Sequence, residues 1–102
     1  MKEKKLYEFG PNWEATRIAI ERKGHERILS FSVEFEKEGE VVELEFLGPK
    51  DIDSLPELID VEHVIVLQEI NSQRELGTIK LEFLGECWQE IWCDSVSKVG
   101  QT

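Results

Sequence analysis

Ile28 to Phe46 reads "ILSFSVEFEKEGEVVELEF", and its alternation continues on both sides of a Glu-Gly pair. Leu29, Phe31, Val33 and Phe35 fall on one side of an extended chain, and Ser30, Ser32, Glu34 and Glu36 on the other. This is the two-residue period of a strand with one buried face. Val42, Leu44 and Phe46 repeat the pattern. With Glu38 and Gly39 at the centre of a two-residue turn, Lys37 faces Glu40 as an opposite-charge closing pair, Phe35 meets Val42, Val33 meets Leu44 and Phe31 meets Phe46. A slip of one residue would send these side chains to opposite faces, so the turn and the hydrophobic pattern require the same register. That register also sets Glu34 directly against Glu43, with Glu36 and Glu45 on the same solvent face and Glu38 and Glu40 at the turn.

The second strand of this hairpin ends in LEFLG, Leu44 to Gly48, and the same five residues recur as Leu81 to Gly85. Around the second copy, "VIVLQEI" (Val64 to Ile70) is a strand, "NSQRELG" supplies turn residues, and "TIKLEFLG" places Ile79, Leu81 and Phe83 on one face. The expectation is two hairpins lying side by side, each leaving the sheet at a glycine, whether or not one arose from the other by duplication. Between them, "GPKDIDSLPELIDVE" carries Pro49 and Pro56, which a central strand excludes. Asp53 to Ile59 predicts a short helix with Asp53 or Ser54 as N-cap and Pro56 and Glu57 in its first turn. Upstream, "ATRIAIERKG" reads as a strand through Thr16, Ile18 and Ile20 with a turn at Lys23 to Glu26, although Asn12 as a cap leaves a helix over 12–23 open. The tail "ECWQEIWCDSVSKV" reads as one last strand, with Cys87, Ile91 and Cys93 on one side and Trp88, Trp92 and Val96 on the other.

The fold expected is therefore mainly β, a single domain over 1–102. It has about six strands in a curved antiparallel sheet or small sandwich and one short helix in the central crossover. A chain of this length with 40% hydrophobic residues buries a core without disulfides or metal. Cys87 and Cys93 are too few for a disulfide framework and, with only His25 and His63, too few for a zinc site. The basic start "MKEKKLYEFG" lacks an apolar stretch of signal-peptide length, and a cytosolic protein is expected.

Charge is uneven along the chain. Residues 34–62 hold 2 Lys/Arg against 11 Asp/Glu, nearly all of the net −10. An anionic surface repels nucleic acid and anionic lipid and attracts basic proteins. No Gly-rich phosphate loop, metalloprotease helix or calcium-loop spacing is present, and no convergent nucleophile and base are evident, so neither catalysis nor a cofactor is expected. The D-x-D of Asp51 and Asp53 is the nearest approach to a cation site, with N-capping the favoured role for Asp53. Like charges opposed across strands cost ~0.2–1 kcal/mol per pair. Glu34, Glu36, Glu38, Glu40, Glu43 and Glu45 are thus read as a docking field for a basic protein, extended by Asp51 and Asp53. Trp88 and Trp92, with Trp13, are the candidate apolar anchors.

The order "TRIAIERKGHERILSFSVEF", "VVELEFLG", a proline-containing crossover, a strand pair and a closing "IWCDSVSKV" resembles small β-rich immunity proteins of bacterial polymorphic-toxin and contact-dependent inhibition systems. The resemblance implies a cytosolic protein without catalytic activity that binds and neutralises one cognate toxin. Many such toxins are nucleases with basic clefts. Two other classes fit the composition. One is an acidic nucleic-acid mimic that inhibits a restriction enzyme or an RNA-guided nuclease, which needs extended rows of carboxylates where a toxin inhibitor needs a compact patch with apolar anchors. The other is a self-associating structural module.

Overall fold

The computed structural model describes residues 2–70 and 77–100. Eight strands, β1 (Lys2–Phe9), β2 (Glu14–Lys23), β3 (Ile28–Lys37), β4 (Glu40–Leu47), β5 (His63–Ile70), β6 (Ile79–Leu84), β7 (Trp88–Cys93) and β8 (Ser95–Lys98), surround one 3-10 helix, Leu55–Asp60. The β3–β4 turn places Glu38 and Gly39 at φ of 48° and 87°, the pair of positive angles that lets a two-residue turn follow the right-handed twist of its strands. Lys37 pairs with Glu40, Phe35 with Val42, Val33 with Leu44, Phe31 with Phe46 and Glu34 with Glu43, the register read from the sequence.

Two antiparallel sheets form, ordered β1-β5-β6-β7 and β2-β3-β4-β8. Phe31, Val33, Phe35, Leu44 and Phe46 of one sheet and Val64, Val66, Leu81, Phe83 and Ile91 of the other share a single buried core. The Phe9 ring of β1 stacks on Phe35 of the facing sheet at 4.0 Å, while Phe31 stacks on Phe46 at 4.8 Å. Such stacked pairs add to the area that the rings bury. Leu55 and Leu58 of the 3-10 helix are fully buried and bring the crossover against β2.

Four expectations are corrected. The two LEFLG hairpins do not lie side by side, since β3–β4 belongs to one sheet and β5–β6 to the other; the second hairpin's turn, 71–76, lies outside the described residues. The described residues form eight strands, not six. β1 was missed because its register shifts between Lys5 and Tyr7, which breaks the alternation at Leu6. The tail is two strands: at Asp94 the chain passes from β7 to β8 in the other sheet, so Val96 packs against the core instead of sharing a face with Trp88 and Trp92. The crossover helix is a six-residue 3-10 segment whose cap position, Ser54, makes no side-chain capping bond. Residues 14–23 form a strand, which settles the helix-or-strand alternative there, and the turn that follows is Gly24 to Arg27.

Gly48, the end of the first LEFLG, is required where it stands. Its φ is +65°, and a side-chain carbon there would overlap the Asp94 carboxylate. Asp94 N–H donates to the Leu47 carbonyl at 2.8 Å, and Gly48 N–H to the Leu29 carbonyl at 2.9 Å, so this corner ties β3, β4 and the β7–β8 passage together.

Candidate docking surface

The side of β2, β3 and β4 turned away from the core is ordered in rows across the strands. Arg17, Glu34 and Glu43 form one row, Ala19, Ser32, Glu45 and Ser97 the next, and Glu14, Glu36 and Val41 lie on the other side of the first. The period of two that buries Phe35 and Leu44 and packs Val42 against the core is what delivers Glu34, Glu43 and Glu45 to this face. Glu34, Glu36, Glu43 and Glu45 therefore share one surface, with Glu38 and Glu40 exposed at its hairpin end.

Compensation within the domain is partial. Lys23 Nζ reaches Glu45 Oε2 at 2.5 Å; this hydrogen bond and the attraction of Glu45, with lesser attraction from Glu21 and Glu43, raise the lysine's pKa above its ordinary range. Glu34 Oε1 accepts a bond from Thr16 Oγ1 at 2.9 Å, which satisfies an oxygen but cancels no charge. Arg17 stands opposite Glu34 without forming an ion pair, and among the described residues Glu36 and Glu43 have none. Two aliphatic side chains break up the carboxylates: Val41, 53% exposed, opposite Glu36, and Val99, 41% exposed, whose N–H donates to the Glu43 carbonyl at 2.8 Å. The result is a compact anionic patch with two apolar points in it, not a long carboxylate row. Val41, Val99 and Glu14 were not singled out from the sequence. The alternation of β4 already turned Val41 outward, and that was the available signal.

The other predicted members lie elsewhere. Trp88 and Trp92 occupy the outward side of the β1-β5-β6-β7 sheet, across the core from the glutamates. Trp88 is 53% exposed, next to His63 at 6.2 Å between rings; Lys80 Nζ lies 5.4 Å from the Trp92 ring centre. Trp13 packs edge-on against Phe9 at 5.2 Å, with Lys37 at 6.0 Å, and serves the core. Asp53 lines a cleft at the edge of β2 together with Thr16, Arg17, Ile18 and Ile20. Asp51 Oδ1 accepts the Asp53 N–H at 2.9 Å, a local turn bond in the approach to the 3-10 helix. No group of His, Cys, Asp and Glu among the described residues has a metal-holding arrangement.

Two further clusters are legible only in three dimensions. Glu57, Asp60, Glu62 and Glu86 line a concavity of about 500 Å³ beside the 3-10 helix. On the outward side of the other sheet, Glu8 accepts hydrogen bonds from Lys5 and pairs with His63, both at 2.7 Å, which hold its carboxyl below the usual range. This is the histidine-carboxylate proximity that hydrolytic chemistry would need. Here it lies on an open sheet surface and lines neither of the two clefts. Cys87 is exposed, whereas burial, with Asp94 beside it, pushes the Cys93 thiol up to about 12. No helix among the described residues is long and apolar enough to cross a membrane. Comparison with protein-family models, curated proteins and solved structures returned no match to this chain.

Proposed function

We propose that this chain is a binding protein of the immunity type, which neutralises a basic protein toxin by occluding it with the outward face of β3 and β4. The observation that carries the reading is the opposition of Glu34 and Glu43 in the two inner strands of their sheet, with no ion pair on Glu43 and with exposed Val41 and Val99 beside it. Opposed like charges work against folding, and a cationic partner turns that cost into complementarity. The carboxylates steer encounter, and the aliphatic points and their surroundings supply the contact area that holds the complex. The patch is compact, which favours a protein cleft over mimicry of a nucleic-acid backbone. The partner class follows from charge: a basic toxin domain, such as a nuclease whose own cleft is built to hold phosphates.

The test is coexpression with a candidate basic toxin domain, sought first in the neighbouring reading frames. Wild-type protein should restore growth, and a variant with Glu34, Glu36, Glu43 and Glu45 all replaced by Gln should fold and fail to protect. Full protection by the folded variant would remove this face from the mechanism.

A further inference from the structure

Four strands have an open edge: β1 and β7 in one sheet, β2 and β8 in the other. Short length, lysines and bulges are the usual means by which sheet edges avoid pairing with another chain. β1 carries Lys4 and Lys5 together with a register shift, β7 has six residues and β8 four. β2 is ten residues long, and beyond its irregularity between Ala15 and Arg17 it pairs with β3 without interruption from Arg17 to Lys23. Ser30 Oγ donates to the Glu21 carbonyl at 3.3 Å, so that carbonyl points towards β3. Antiparallel alternation then turns the backbone groups of Ile18, Ile20 and Arg22 to the open side.

That edge borders a mostly apolar cleft of about 660 Å³, lined by Ile18 and Ile20 of β2 and by Ile52, Pro56 and Ile59 of the crossover, with Arg17, opposite Glu34 in the strand pairing, and Asp53 also on its lining. Ile20 is 51% exposed and Ile59 49%. The sequence of β2 is also complementary to itself. In an antiparallel pairing of two copies about an axis at Ala19, Arg17 faces Glu21 of the second copy on the outward side, and Ile18 faces Ile20 on the cleft side. Within the chain, neither Arg17 nor Glu21 forms an ion pair among the described residues. Neighbouring registers are worse. An axis at Ile20 sets Arg17 against Lys23, and an axis at Ile18 sets Arg17 against Ala19. We propose that the occupant of this edge is a second copy of the chain, joined β2 to β2 in the Ala19-centred register, so that two four-stranded sheets become one and the isoleucine cleft is covered. The inference rests on β2 and the crossover and does not depend on the glutamate face.

Sedimentation analysis of the purified chain, without any partner, tests it. Wild-type protein should be dimeric. Arg17→Glu alone and Glu21→Arg alone should each weaken the dimer by about 10-fold or more, because each creates two like-charge oppositions across the axis. The double exchange, Arg17→Glu with Glu21→Arg, restores opposite charges and should restore the dimer. Ile20→Lys, at an exposed position that the fold tolerates, should give a monomer with an unchanged circular-dichroism spectrum. A wild-type chain that is monomeric at its highest soluble concentration, single variants that dimerise as wild type, or a folded double variant that stays monomeric would each overturn the proposal.

Discussion

Replacing Glu43 by Gln should make the domain more stable. Glu43 and Glu34 face each other directly, a position where Cβ atoms lie ~4.5–5.5 Å apart, and Glu43 has no ion pair among the described residues. Removing one charge relieves ~0.2–1 kcal/mol, which for a domain of this size raises the melting temperature by about 1–6 °C. Glu43 is a cleaner choice than Glu34, whose carboxylate also accepts the Thr16 hydroxyl. Glu45→Gln is the control: it removes the partner of Lys23 and should leave stability unchanged or lower it by up to ~1 kcal/mol. Thermal and urea denaturation of wild type, both singles and the Glu34→Gln/Glu43→Gln double complete a cycle. The double should gain less than the sum of its singles, since the repulsion can be removed only once. Added salt should stabilise wild type more than Glu43→Gln, because screening acts on the same repulsion. A destabilised Glu43→Gln, or a gain equal to that of Glu45→Gln, would refute the argument that this pair is held against the fold.

Other outcomes follow from the core and the titrating groups. Cys87 should react with iodoacetamide in the native protein while Cys93, buried and with its pKa pushed up to about 12, reacts only after unfolding. Since the unfolded thiol ionises near its ordinary 9.0, stability should fall as pH rises from about 9 towards 12, by up to about 4 kcal/mol from this group, and Cys93→Ala should flatten that alkaline limb in urea titrations. Glu8, held low by Lys5 and His63, contributes stability above its ordinary 4.5 that is lost as pH falls through its lower folded value; Glu8→Gln should flatten the acid limb of the same titration. Phe35→Ala, which removes the ring stacked on Phe9, should cost about 3–5 kcal/mol by denaturant unfolding.

The β3–β4 hairpin was legible because two independent constraints, a period of two and a turn that accepts positive φ, allowed a single register. With the register came the glutamate face, down to the Glu34–Glu43 opposition. What the sequence could not supply was sheet membership. Nothing in the second LEFLG says that its hairpin faces the first instead of joining it, because that choice is made by packing between Phe9, Phe35 and their neighbours, far apart in the chain. The same gap misplaced the anchors. Trp88 and Trp92 read as exposed apolar residues, and Trp88 is one, but the passage at Asp94 leaves them on the opposite side of the domain from the carboxylates. Val41 was hidden by its neighbour: "VVE" in β4 reads as apolar pairing for the core, and only the alternation separates buried Leu44 from outward Val41. Asp51 and Asp53, adjacent to the hairpin in sequence, lie in the crossover after Gly48, outside the strand register that orders the glutamates.

The central claim, that a basic toxin domain docks on β3 and β4, is tested most directly by the rate at which a candidate domain of that kind associates with this chain as ionic strength is raised, followed by stopped-flow fluorescence. Wild type should associate fast at low salt and slow steeply as salt rises, and the variant carrying Gln at 34, 36, 43 and 45 should be slower and nearly insensitive to salt. Equal rates and equal salt slopes for the two proteins would contradict the assignment of the docking field to β3 and β4.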